Sequence, residues 1–137
     1  MAGYSETPLA AKLGVKPGGR VAIMNAPRGF EELLDAKESI VVRGYRGKVT
    51  CEVVVLFCAK AADLSQGFGK ARERMSEAGG LWVAWPKKAS GVATDLTETQ
   101  VREYGLAAGL VDNKVCAIDD TWSGLRFVVR VADRAKS

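Results

Sequence analysis

The sequence predicts an α/β fold: a mostly parallel sheet with helices on both faces, closed by a C-terminal antiparallel hairpin. Three observations lead there. The runs at 52–58 and 81–85 are almost unbroken in apolar residues, as strands covered on both faces require. Such runs alternate with segments of helical apolar spacing, the pattern of parallel strands joined by crossover helices. The last two runs, 114–118 and 125–131, are separated only by Asp119-Asp120-Thr121-Trp122-Ser123-Gly124, too short for a helical crossover, so they pair antiparallel.

Each element has its own signal. Thr7-Pro8 opens a short helix, with Thr7 as cap and Pro8 at the first helical position, where its missing N–H costs nothing. Leu9 and Leu13 share a face, Gly14 ends the helix, and Lys16-Pro17-Gly18-Gly19 turns the chain. Strand 20–25 follows and is broken by Ala26-Pro27-Arg28-Gly29. Phe30, Leu33 and Leu34 then recur at helical spacing up to about Lys37. Strand 40–43 is closed by Gly44 and Gly47, and strand 52–58 comes next. Leu64, Phe68, Ala71 and Met75 mark an amphipathic helix, weakened by Gly67 and Gly69 by about 1 kcal/mol each relative to alanine. Strand 81–85, preceded by Gly79-Gly80, stops at Pro86, which cannot donate to the ladder. After the 87–94 loop, Thr97-Glu98-Thr99-Gln100 has capping-box form. Val101, Tyr104 and Ala108 are its expected buried face, and Gly109 the C-cap. In the final run Leu125, Phe127 and Val129 alternate with Arg126, Val128 and Arg130, which reads as an edge strand with one face partly exposed. Residues 132–137 are expected to fray.

Composition excludes several function classes. At 137 residues, 47% hydrophobic and 26% charged, the chain has the size and balance of one globular domain. The net charge of +4 favours anionic partners, but basic residues are interspersed with acidic ones. Nucleic acid is therefore not an expected partner. No apolar run approaches the roughly 20 residues of a membrane span. Met1 to Ser5 lacks the basic and apolar regions of a secretion signal, so the expected compartment is the cytoplasm. The absence of histidine removes histidine-based zinc sites, a Ser-His-Asp triad and any Cys-His pair. Cys51, Cys58 and Cys116 lack CxxC spacing and read as reduced, buried thiols.

Several motifs carry a resemblance. Pro8-Leu9-Ala10-Ala11-Lys12-Leu13-Gly14, Asn25-Ala26-Pro27, Trp85-Pro86-Lys87-Lys88, Thr94-Asp95-Leu96-Thr97-Glu98, Gly109-Leu110-Val111-Asp112 and Trp122-Ser123-Gly124-Leu125-Arg126-Phe127 resemble a family of small bacterial proteins, mainly actinobacterial, catalogued as a domain of unknown function. That resemblance spans almost the whole chain and implies no activity. A second, at the level of fold, rests on Gly79-Gly80-Leu81-Trp82-Val83 and on the segment from Ala108 to Val129. These resemble the glycine-led strand and the terminal helix, strand and return strand of S-adenosylmethionine-dependent methyltransferases. The resemblance implies a three-layer αβα Rossmann-like sandwich. The sequence departs from it where those enzymes hold their cofactor. Asn25-Ala26-Pro27-Arg28-Gly29 replaces the glycine-rich turn, Arg43 replaces the ribose-binding acid, and a strand–helix unit is missing between Val42 and Cys51.

The candidate site is organised around the loop after strand 81–85, because ligands of open α/β sheets sit outside the carboxyl ends of the strands. Lys87, Lys88, Ser90, Gly91 and Thr94 offer two ammonium groups, two hydroxyls and a permissive backbone for an anion; the competing reading is a solvated surface loop. Asn25 and Arg28 would complete the wall. Asp95, Asp119 and Asp120 are candidate carboxylates for base or hard-metal chemistry, with capping and turn formation the favoured roles. Trp82 and Trp85 have opposite parity and face opposite sides of the sheet. Trp82 reads as core, whereas Trp85 and Trp122, nearer loops, are candidate walls for a planar ligand. Cys58 beside Ala59-Lys60 is a weak candidate thiolate without a histidine base. The expectation is a domain binding an anionic small molecule or partner, with no cofactor and no metal. The alternatives are a divergent methyltransferase or other transferase, and a non-catalytic interaction module that self-associates through an edge strand.

Overall fold

The computed structural model describes residues 8–44 and 48–134. Its strands are β1 (Arg20–Met24), β2 (Ile40–Arg43), β3 (Cys51–Phe57), β4 (Met75–Pro86), β5 (Leu110–Ala117) and β6 (Trp122–Val129). Its helices are α1 (Leu9–Leu13), α2 (Phe30–Leu34), α3 (Ala61–Arg74) and α4 (Glu98–Ala107). One six-stranded sheet runs in the order β2-β1-β3-β4-β6-β5. The β2–β1, β1–β3 and β3–β4 pairs are parallel. β6 is antiparallel to both β4 and β5. The α/β class, the parallel body and the terminal hairpin are thus as the sequence predicts.

Strand alternation divides the apolar residues between two cores. On one face Val54, Leu56, Leu81, Val83, Trp85, Leu125 and Phe127 pack with Leu64, Phe68 and Ala71 of α3 and Val101 of α4. On the other, Val21, Ile23, Val55, Phe57, Trp82 and Ala84 pack with Leu13, Phe30 and Leu34 of the short helices α1 and α2. Trp82 and Trp85 do face opposite sides. Trp82 is fully buried, and its indole N–H donates to the Leu13 carbonyl at 3.0 Å, tying α1 to the sheet. Burying each large side chain stabilises the fold by about 1.5–3 kcal/mol.

The structure corrects several details. Strand 125–131 is not an edge: β6 lies between β4 and β5, and the edges are β2 and β5. Its alternating arginine misled because Arg126 lies over Gly80 of β4, where the missing side chain makes room. Met75 does not extend α3 but starts β4, and the β3–β4 register shifts between Cys51 and Val53 to absorb the extra residues before Gly80. Pro8 is the N-cap residue of α1, one position earlier than expected; the capping role given to Thr7, the closing role of Gly47 and part of the expected frayed end lie outside the described residues. The helix after Phe30 ends at Leu34 because Asp35 adopts a left-handed φ of 50°. β5 starts at Leu110, directly after Gly109 turns the chain with φ +91°. Tyr104 and Ala108 are exposed; α4 instead buries Val101 and Gly105, because the Phe127 ring fills the space over Gly105. Trp85 is buried rather than open, and Cys116 is half-buried while Cys51 and Cys58 are buried. β2 is followed directly by β3, with no strand beyond β2 in the sheet among the described residues.

Candidate functional site

The sheet order fixes where a ligand would sit. From β1 the chain goes to β2 on one side and then to β3 on the other. The connections diverge between β1 and β3, and the crevice outside their carboxyl ends is the usual ligand position of such sheets. A cleft of about 570 Å³ opens there. Asn25 and Pro27 follow β1, Phe57 ends β3 and Ala59 follows it, Asp63, Gln66 and Lys70 project from α3, and Trp122 begins β6.

Local chemistry holds these groups in place. Asn25 has φ 59°, a left-handed conformation that asparagine tolerates better than most residues. Its side-chain amide donates to the Phe57 carbonyl at 3.4 Å, so it bridges the ends of β1 and β3. The Phe57 ring meets Trp122 edge to face at 5.0 Å and Phe30 at 4.7 Å. Trp122 is set by Asp119, whose Oδ1 accepts the backbone N–H groups of Thr121 and Trp122, each at 2.8 Å. Asp119 therefore forms the turn, and Asp120 is exposed.

The start of α3 is already supplied with negative charge. Asp63 Oδ2 accepts the N–H groups of Ala59 at 2.9 Å and Lys60 at 3.3 Å, and Asp95 Oδ1 accepts that of Ala61 at 2.7 Å. The Ala61 N–H is one of the donors a helix leaves unpaired at its positive end, and Ala59 and Lys60 directly precede it. Asp95 thus caps α3, across 34 positions of sequence, rather than its own neighbour α4. The capping box expected at α4 is present between Thr97 and Gln100.

Of the residues singled out in the sequence, Asn25 and Trp122 line this cleft. Arg28 lines a separate, smaller cleft with Pro27, Gly29, Glu31 and Glu32. Ser90 donates its hydroxyl to the Lys87 carbonyl at 2.6 Å and accepts the Val92 N–H at 3.1 Å, and Thr94 Oγ1 accepts the Leu96 N–H at 3.1 Å. Both hydroxyls therefore serve the loop's own turns, and Gly91 closes one of them with φ +78°. Lys88 is exposed, while Lys87 is half-buried and donates its backbone N–H to Thr121 beside Trp122 at 2.8 Å. Asp63, Gln66 and Lys70 were missed, although their spacing places them along one side of α3. They passed as the polar surface of an amphipathic helix.

Cys58 follows the cleft residue Phe57 but is no thiolate. Burial, with the Asp63 carboxylate as a lesser cause, pushes its pKa up to about 12. At the end of β2, the Arg43 guanidinium grips Glu31 through two hydrogen bonds, 2.7 Å from Nε and 2.6 Å from the terminal nitrogen. Those bonds hold the Glu31 carboxyl below its ordinary range and raise Arg43. Among the described residues, no group of three or more Cys, Asp or Glu side chains is placed to hold a metal ion. No helix there is long and apolar enough to cross a membrane.

A mostly parallel sheet with a terminal strand inserted antiparallel beside its neighbours defines a methyltransferase-like Rossmann fold. Solved structures bear this out. The fibrillarin pre-rRNA processing protein of Methanococcus jannaschii is 15% identical with a TM-score of 0.55, over 96% of this chain and 71% of that one. CalO1, a methyltransferase in calicheamicin biosynthesis, is 16% identical with a TM-score of 0.61, over 88% of this chain and 52% of its own. The glycopeptide N-methyltransferase MtfA is 9% identical with a TM-score of 0.57, over 88% and 90%. At such identities the likeness is one of fold alone. No curated protein matches the chain. Residues 30–131 match the model described as "Protein of unknown function (DUF3052)", and the chain belongs to that family.

Proposed function

We propose that this domain binds an anionic small molecule with a planar apolar body in the β1–β3 cleft, and that it is not a conventional S-adenosylmethionine-dependent methyltransferase. The observation that carries the reading is the position of the 570 Å³ cleft at the point where the sheet's connections diverge. Its lining has the mixture expected of a ligand site, apolar walls with a few polar groups. Phe57, Trp122 and Pro27 supply the apolar side. The Lys70 ammonium and the amides of Asn25 and Gln66 supply donors, while the Asp63 carboxylate is turned to two backbone N–H groups. The Lys87 backbone N–H, donated to the Thr121 carbonyl, holds the 87–94 loop beside Trp122.

Two features support the negative half. The turn after β1 carries Pro27 instead of a run of glycines, and the position that would accept a ribose hydroxyl is a guanidinium already paired with Glu31. Methyl transfer by a divergent site is the second reading, favoured by the fold. A calorimetric dissociation constant for S-adenosylmethionine below about 10 μM, roughly 7 kcal/mol of binding, would establish cofactor binding and overturn the first.

The direct test is a protein-observed NMR titration with benzoate, phenyl phosphate and the neutral benzyl alcohol. The anionic probes should shift the Asn25 and Gln66 side-chain amides and the Trp122 indole. Lys70→Ala should weaken them in a salt-dependent way, since the charge contribution is screened by added salt. Equal binding of neutral and anionic probes, or shifts confined to another part of the sheet, would refute the proposal.

A further inference from the structure

A second cleft, of about 510 Å³, lies at the opposite edge of the sheet, where β1, β3 and β4 approach their amino ends. One wall is the segment from Gly14 to Arg20, and the other is Glu52, Val53, Ala78, Gly79 and Arg126. Four of its lining residues are glycines (14, 18, 19 and 79), so much of the wall is bare backbone. Three lining residues are cations, Lys16, Arg20 and Arg126, against one acid, Glu52. The Glu52 Oε1 accepts the Arg20 backbone N–H at 2.9 Å.

Arg126 is the unusual member. It stands opposite Trp82 in the β4–β6 register, and its guanidinium lies over Gly80. A Cβ at Gly80 would come within 2.7 Å of the guanidinium carbon, and one at Gly79 within 2.6 Å of the Glu52 carbonyl oxygen. The glycine pair is therefore needed twice, to let β3 approach β4 and to seat the arginine. Arg126 is half-buried, and among the described residues no carboxylate pairs with it. Its hydrogen bond is a long one, 3.4 Å to the Asn113 side-chain oxygen. Burial, with Arg134 as a nearby like charge, lowers its pKa from the usual arginine range. A guanidinium has five N–H donors, and leaving a partly desolvated charge without a counterion is unfavourable.

We propose that this cleft is a second ligand site, which takes the phosphate group of a small molecule, with Arg126 as the recognising residue. A phosphate monoester carries nearly two negative charges at neutral pH, and its oxygens match the paired N–H donors of a guanidinium. The glycine walls let a tetrahedral oxyanion approach the backbone, and Lys16 and Arg20 add attraction at the mouth. This site is separate from the β1–β3 cleft and does not depend on its occupant.

The test is a titration of the full-length chain with inorganic phosphate, following the arginine Nε–H resonances by NMR, with acetate as the carboxylate comparison. The Arg126 signal should shift saturably, with a dissociation constant of about 1–10 mM for the bare ion, and more weakly with acetate. Arg126→Lys should weaken binding at least about fivefold, because an ammonium cannot bind bidentately. Arg126→Met, which keeps the packing stem, should abolish it, whereas Lys70→Ala in the other cleft should leave it unchanged. Should Arg126→Met fail to fold, the double change Lys16→Ala with Arg20→Ala should weaken phosphate binding while the protein melts normally. An unmoved Arg126 signal, an equal response to acetate, or phosphate binding retained in Arg126→Lys would overturn the proposal.

Discussion

Replacing Gly105 with alanine sets two effects of opposite sign against each other. In an exposed helix the change would stabilise by about 1 kcal/mol, the difference in helix propensity. Gly105 is buried, however, and a Cβ there would come within 2.5 Å of the Phe127 ring. That ring is fully buried and sits edge to face with Phe68 at 6.1 Å, with Phe68 in turn against Tyr104 at 5.1 Å. It cannot turn aside without displacing a second aromatic ring. Forcing extra carbon into such a core costs about 1–3 kcal/mol. The strain outweighs the propensity gain, and the expected net effect of Gly105→Ala is a loss of about 1–2 kcal/mol. Urea denaturation measures it directly. In a Phe127→Leu background the obstruction is removed, so the same change should become neutral or mildly stabilising. The two substitutions should then couple by more than about 1 kcal/mol, as contacting residues do. If Gly105→Ala stabilises the unaltered protein, or the two effects simply add, helix propensity decides this position and the packing argument is refuted.

Three further outcomes follow from the geometry. Asp95→Ala should cost about 0.5–1 kcal/mol, a cap's worth at an exposed site, and should speed hydrogen exchange at the Ala61 N–H; unchanged exchange would mean the long-range cap carries no energy. Cys58 should resist thiol reagents at pH 8 until the protein unfolds, since its pKa is pushed up to about 12. Because that value lies above the unfolded thiol's, its contribution to stability is complete below the ordinary thiol range and lost as pH rises from there through about 12; rapid labelling of the native protein would contradict this. Glu31 behaves oppositely. Its pKa is held down by Arg43, so the stability from the pair is present above the ordinary glutamate range and lost as pH falls through the lowered value. The pair is partly exposed to solvent, so the effect is small; Glu31→Gln should flatten the acid limb of the stability profile slightly, and an identical limb would leave the pair without a measurable role.

Strand identity was legible because burial on two faces leaves a direct mark in composition. The run from Val53 to Phe57 is apolar at every position, and it is a central strand. The gap between Val42 and Cys51 was legible too, since a missing helical pattern is as visible as a present one. Strand order was not, because it depends on partners remote in sequence. Arg126 in an alternating run has the pattern of an edge, and nothing nearby says that Gly80 will lie beneath it. The site was half legible for a similar reason. Asn25 and Trp122 stood out at strand ends and line the cleft, whereas Lys87 and Lys88 lie on the neighbouring loop outside its lining. Gln66 and Lys70 look like any polar helix surface until the end of β1 is brought alongside. Asp95, beside Thr97, had every mark of a local cap, and only the packed structure joins it to Ala61.

The position of β6 has a consequence for how the chain is made. Among the described residues it is the last strand in sequence, yet it lies between β4 and β5. A chain emerging from its amino end has all the material of β5 before the strand it pairs with exists. Among the described residues β5 has no neighbour in the sheet but β6, and Gly105 of α4 rests on a β6 side chain. Deleting residues from Trp122 onward would therefore remove β6, leave β5 without its partner in the sheet and take from α4 the ring that Gly105 rests on. Until β6 arrives, one side of β4 is an open edge displaying Leu81-Trp82-Val83-Ala84-Trp85, the kind of apolar, uncharged strand that recruits other chains. Synthesis thus passes through a sticky interval that closes only when the final strand slides into place, and truncated products should aggregate rather than persist as smaller folded domains.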